Sequence, residues 1–234
     1  MKIFILLWCL GFSALWAMTP FPSLVKKGKH VLQASESPYL LEGSAVLSVN
    51  DTLIVEPGVE VQMNGYARLL LRGKVSVLGT AEKPVVFHSA DSSESWNGFH
   101  LITGSRTFLI RNLIVKNAFR NTVTESAGTF ENVKFESNYY GLWVQNSPKL
   151  NLSKCSFTHN RFGLSVESGV VSGRELAIEK NTFGLYIEQG AAFRGDRALI
   201  RNNLEKDERS EAEELAVKHK KVPQKVWRRL EEGF

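Results

Sequence analysis

Cysteine is nearly missing from this chain. Only Cys9 and Cys155 occur among 234 residues, and Cys9 falls inside an N-terminal apolar run. The one remaining thiol excludes an internal disulfide scaffold, and with no second cysteine nearby it builds no zinc site. Proline is scarce too, at 7 residues, and with 43% hydrophobic and 23% charged residues this excludes a collagen-like or disordered chain. Aspartate before the C-terminal tail is limited to Asp51, Asp91 and Asp196, with no Asp-Asp pair and no Asn-Thr-Asp triplet. The clustered carboxylates that hold Ca²⁺ therefore have no evident source. A phosphate loop, a Rossmann fingerprint and a G-x-S-x-G element are absent, and the histidines show no ligand spacing. No metal, no cofactor and no catalytic residue is expected. The net charge of +5 suits mild attraction to anionic glycans or envelope surfaces and is too diffuse to argue for nucleic acid.

What is present begins with an address. Met1-Lys2 precedes an apolar run from Ile3 to Met18, broken only by Gly11 and Ser13. Sixteen helical residues span about 24 Å, short of the ~30 Å hydrocarbon slab. The run predicts an export signal over residues 1–17, cleaved after Ala17 or, as second choice, after Ser13. The expected location is periplasmic or secreted, with no membrane span after signal removal.

The strongest signal is a repeat of about 21 residues. An apolar residue followed three places later by asparagine recurs in Ile114-Val-Lys-Asn117, Phe135-Glu-Ser-Asn138, Phe157-Thr-His-Asn160, Ile178-Glu-Lys-Asn181 and Leu199-Ile-Arg-Asn202, at almost constant intervals. Gly141, Gly163 and Gly184 stand three places after an asparagine, and Leu142-Trp-Val144, Leu164-Ser-Val166 and Leu185-Tyr-Ile187 follow. The alternation has period two, which predicts short strands. One such unit cannot bury its apolar face alone, so the units stack. Like positions then lie about 4.8 Å apart, and Asn117, Asn138, Asn160, Asn181 and Asn202 form a structural ladder of amides at corners where asparagine tolerates the left-handed conformation. Cys155 occupies an apolar slot of this repeat, as inert packing.

The first half carries the same grammar. Val55-Glu-Pro-Gly-Val-Glu-Val61, then Leu71-Arg-Gly-Lys-Val-Ser-Val-Leu-Gly-Thr80, Lys83-Pro-Val-Val-Phe-His-Ser89 and Ser95-Trp-Asn-Gly-Phe99 resemble the opening of bacterial secreted right-handed parallel β-helix proteins of the pectate-lyase-like superfamily. The resemblance covers residues 41–203. It implies an all-β, right-handed parallel β-helix of about seven coils over residues 41–204. It leaves the activity open, since lyases, hydrolases, esterases, adhesins and tail fibres share this solenoid.

The ends read differently. Residues 18–40 are expected to cover the first coil. Residues 205–234 hold eight acidic and eight Lys or Arg residues and predict a charged α-helical extension, in which Val226, Trp227 and Leu230 share a face that caps the last coil or docks a protein partner. Aligning the strands after the glycines puts Trp143, Ser165 and Tyr186 in one outward column and Gln145, Glu167 and Glu188 in the next. Trp143, Gln145, Glu167, Tyr186 and Glu188 are thus the candidate carbohydrate contacts. The expected function is a non-catalytic exported module that binds or scaffolds on envelope or extracellular polysaccharide. The alternatives are a polysaccharide lyase or glycoside hydrolase of the β-helix type, and a structural or adhesive component that docks a protein.

Overall fold

The computed structural model describes residues 18–104, 107–197 and 199–210. The expected export signal and the Trp227 segment lie outside these residues. Every strand pairing among the described residues is parallel, as a coil stacked on its successor requires. Three rows of strands run up the stack. The first includes Val85–Ser89, Leu113–Lys116, Lys134–Glu136, Ser156–Thr158, Ala177–Glu179 and Ile200–Arg201. The second includes Gly98–Leu101, Arg120–Thr124, Tyr140–Gln145, Phe162–Val166, Phe183–Ile187 and Lys206–Ser210. The third runs from Lys29–Leu32 through Thr107–Arg111, Ala127–Glu131, Ser147–Ser153 and Gly169–Arg174 to Ala192–Gly195. In the lower coils Tyr39–Leu47 and Glu60–Leu71 serve the first two rows as single long strands.

Alternation along each strand sends one set of side chains inward. Leu142 and Val144 stack under Leu164 and Val166, then under Leu185 and Ile187, all buried. Phe135 lies on Phe157 with ring centroids 4.9 Å apart and planes 6° from parallel, the geometry that identical positions on neighbouring strands impose. Cys155 is 1% exposed, and burial pushes its thiol up to about 11. Gly163 is required by close approach: a Cβ there would sit 2.7 Å from the Gly184 carbonyl oxygen of the next coil.

Two expectations are corrected. The stack has about nine turns, not seven, because Thr19–Pro20 and Lys29–Leu32 already pair as rungs and the stack continues past residue 204. The early coils also hide their period: Val61 pairs with Phe87 and Phe87 with Val115, because loops between the strands lengthen these coils beyond the later repeat. The helical extension starting at Glu205 is replaced, as far as residue 210, by the strand Lys206–Ser210 on Phe183–Ile187. It is the last rung of its row among the described residues, and its charged side chains suit an edge, where they discourage further pairing. Among the described residues there is one short 3₁₀ turn, Ala34–Glu36, and no helix long and apolar enough to cross a membrane.

Candidate ligand-binding face

The corner between the first and second rows sets the face in register. Asn160 accepts through Oδ1 from the backbone N–H of Asn138 at 2.9 Å and from its Nδ2 at 3.0 Å. Its own Nδ2 donates to the Phe135 carbonyl and to Asn181 Oδ1, both at 2.9 Å. Asn181 repeats the arrangement with Asn203, and Asn203 donates in turn to Asp207 Oδ1 at 2.8 Å. Asn138, Asn160 and Asn181 are thus buried, hydrogen-bonded rungs.

Asn117 and Asn202, expected as the outer rungs, stand one place before the ladder. The rung positions there are Ala118, whose N–H donates to Asn138 Oδ1, and Asn203. The left-handed residues of this corner are Asn117, Ser137, His159, Lys180 and Asn202, with φ between 56° and 59°. The ladder amide therefore belongs to the residue after the strained one, where it points inward to serve the backbone that the corner leaves unpaired.

Beyond the ladder, the second row presents three outward columns. The first carries Arg120, Tyr140, Phe162 and Phe183. Tyr140 and Phe162 stack at 4.8 Å and Phe162 and Phe183 at 5.1 Å, each pair within 13° of parallel. Burial holds the Tyr140 hydroxyl above its ordinary pKa, with the neighbouring Tyr139 adding to the rise. The second column carries His100, Thr122, Trp143, Ser165, Tyr186 and Arg209. The Arg120 guanidinium lies 4.9 Å from the centre of the Trp143 ring, and that of Arg209 lies 5.3 Å from Tyr186. In the third column Thr124 donates to Gln145 at 3.3 Å, and Gln145 Nε2 donates to Glu167 Oε2 at 2.7 Å.

A groove of about 410 Å³ opens between Trp143 and Tyr186. Tyr140, Phe162 and Phe183 line one side, and Glu188, Arg161 and Arg209 supply charge around it. Its floor is Ser165, 3% exposed, whose Oγ has no hydrogen-bond partner. Of the five expected carbohydrate contacts, the structure brings Trp143, Tyr186 and Glu188 to this groove; Gln145 and Glu167 are engaged with each other beside it. The contacts expected from sequence omit the stacked column of Tyr140, Phe162 and Phe183, although each of these stands immediately before one of the repeated glycines. They also omit Arg161 at the corner and Arg209 on the last strand.

Among the described residues no three His, Cys, Asp or Glu side chains converge to hold a metal ion. Residues 75–207 match the protein family described as a right handed beta helix region. Comparison with curated proteins and with solved structures gave no match.

Proposed function

Because the chain belongs to the right-handed β-helix family, we propose that it is a saccharide-binding module which holds glycan in the groove between Trp143 and Tyr186. The observation that carries this reading is the lining: five aromatic rings and only a few polar groups around about 410 Å³. Small-molecule sites have this size and this balance of apolar walls with a few polar groups. Ring faces suit the C–H surfaces of a sugar, and Glu188, Arg161 and the serine hydroxyl suit its hydroxyl edge. Export, expected from the apolar run at residues 3–18, belongs to the same proposal, with envelope or extracellular polysaccharide as the partner.

A binding role is favoured over glycoside hydrolysis by the carboxylates. A hydrolase needs two, about 5 to 9.5 Å apart, flanking the scissile bond. Of the two glutamates aligned in one column, Glu188 lines the groove while the Glu167 carboxylate accepts the Gln145 amide. The test is a glycan array probed with the full chain, followed by calorimetry on Trp143→Ala and Tyr186→Ala. Each substitution is expected to weaken binding about tenfold or more, since a buried aromatic contact carries about 1.4 kcal/mol or above. Failure of every glycan to bind, or binding unchanged in both variants, contradicts the reading. Release of reducing ends or of unsaturated product from a polysaccharide panel would favour the enzyme alternative instead.

A further inference from the structure

We propose that the groove recognises a single sugar ring presented end-on, a terminal or pendant residue, with Ser165 as the residue that reads its hydroxyl edge. This rests on the saccharide reading above and deepens it. The central column runs large, small, large over three successive rungs: Trp143, Ser165, Tyr186. With strands about 4.8 Å apart, the two large side chains start roughly 10 Å from each other, and the missing bulk at Ser165 leaves a notch one ring wide.

The notch is walled on three sides and met by Glu188 on the fourth. Trp143 and Tyr186 close it along the coil axis. The stacked Tyr140, Phe162 and Phe183 column closes one lateral side, and on the other Glu188 lines the groove. A glycan laid flat has to climb over one of these walls, whereas the end of a chain enters from above. At the bottom, the Ser165 hydroxyl is buried and unpartnered. Buried hydroxyls are nearly always hydrogen-bonded, and one left unmet lowers stability. A floor built with such a group, between aromatic walls, matches a ring that offers C–H faces to its sides and a hydroxyl to its edge.

The experiment titrates the full chain with methyl glycosides of glucose, galactose, mannose, N-acetylglucosamine and galacturonic acid, and with the matching tetrasaccharides. Calorimetry and tryptophan fluorescence report binding. For the sugar that binds, the methyl glycoside is expected within about threefold of the tetrasaccharide. Ser165→Ala is expected to lose about tenfold in affinity, the worth of one hydrogen bond, with no fall in thermal midpoint. Ser165→Leu, which fills the notch, is expected to abolish binding with its circular dichroism unchanged. Affinity that climbs more than about tenfold with chain length, or binding untouched by Ser165→Ala, overturns end-on recognition while leaving saccharide binding standing. If none of the sugars binds, the saccharide reading itself falls.

Discussion

Replacing Asn160 by alanine removes the middle amide of the buried ladder. Four side-chain hydrogen bonds disappear, two accepted from Asn138 and two donated to Phe135 and Asn181. Asn138 can still reach the Val115 carbonyl with one amide hydrogen at 3.2 Å, and Asn181 Oδ1 keeps the Asn160 backbone N–H at 2.9 Å. What is left unmet is the Asn138 backbone N–H and its second amide hydrogen, in a site where Asn160 is 2% exposed, while the Phe135 carbonyl keeps its place in the strand ladder with the next coil. At about 1 kcal/mol net per bond, the loss comes to about 4 kcal/mol, and for a chain of this size that lowers the thermal midpoint by roughly 8 to 16 °C. Asn117→Gly is the companion variant. Asn117 sits outside the ladder with φ at 57° and one long side-chain bond of 3.4 Å to Ser92, so glycine there is expected to change stability by under about 0.5 kcal/mol. Urea unfolding of both proteins decides the matter. A loss under about 1 kcal/mol in Asn160→Ala, or equal losses in the two variants, refutes the assignment of the ladder.

Two further outcomes follow from one half-buried and one buried titratable group. Burial, with the Arg120 and Arg68 charges, lowers the His100 pKa from 6.5 to about 4, while Thr122 and Asn97 bond its two ring nitrogens. The folded protein therefore keeps His100 neutral where the unfolded chain takes up a proton, so stability is expected to fall as pH drops from 6.5 to about 4. Urea midpoints of wild type and His100→Gln should diverge across that window and run parallel above it, and parallel curves throughout would show that the histidine is not held neutral. Cys155, with its thiol pushed up to about 11 and 1% exposed, is expected to resist Ellman's reagent at about pH 8 in a Cys9→Ser background until urea opens the stack; reaction at the rate of a free thiol in the native protein would contradict its burial.

The middle of the stack was legible because its coils are short and uniform. Leu142, Leu164 and Leu185, with Trp143, Ser165 and Tyr186 between them and the next apolar residues, declare both the strand period and the column register. The ends of the same repeat misled by a single place. The coil from Val115 to its partner Phe135 is shorter than the asparagine interval there, and the coil from Ile178 to Ile200 is longer. The true rungs therefore fall on Ala118, which carries no amide, and on Asn203, next to another asparagine. The lower coils were harder, since their loops between strands vary while pairing depends on spatial register alone. Lys206-Asp-Glu-Arg-Ser210 has the composition of a solvated helix. It forms a strand because Phe183–Ile187 offers an unpaired edge and Asp207 can end the ladder, a tertiary demand that overrides local propensity. Ser165 was visible as a small residue between two aromatics. That its hydroxyl lacks a partner depends on every neighbour in three coils, which no spacing rule reports.

Through-hydrogen-bond scalar couplings measured by NMR test the register on which the groove depends. Trp143, Ser165 and Tyr186 share a column only if the Glu167 N–H is bonded to the Val144 carbonyl and the Glu188 N–H to the Val166 carbonyl, both at 2.9 Å in the structure. Cross-peaks linking those two amide–carbonyl pairs are the expected result. Coupling of either amide to the carbonyl of an adjacent residue would turn Ser165 to the opposite side of its strand and dismantle the groove.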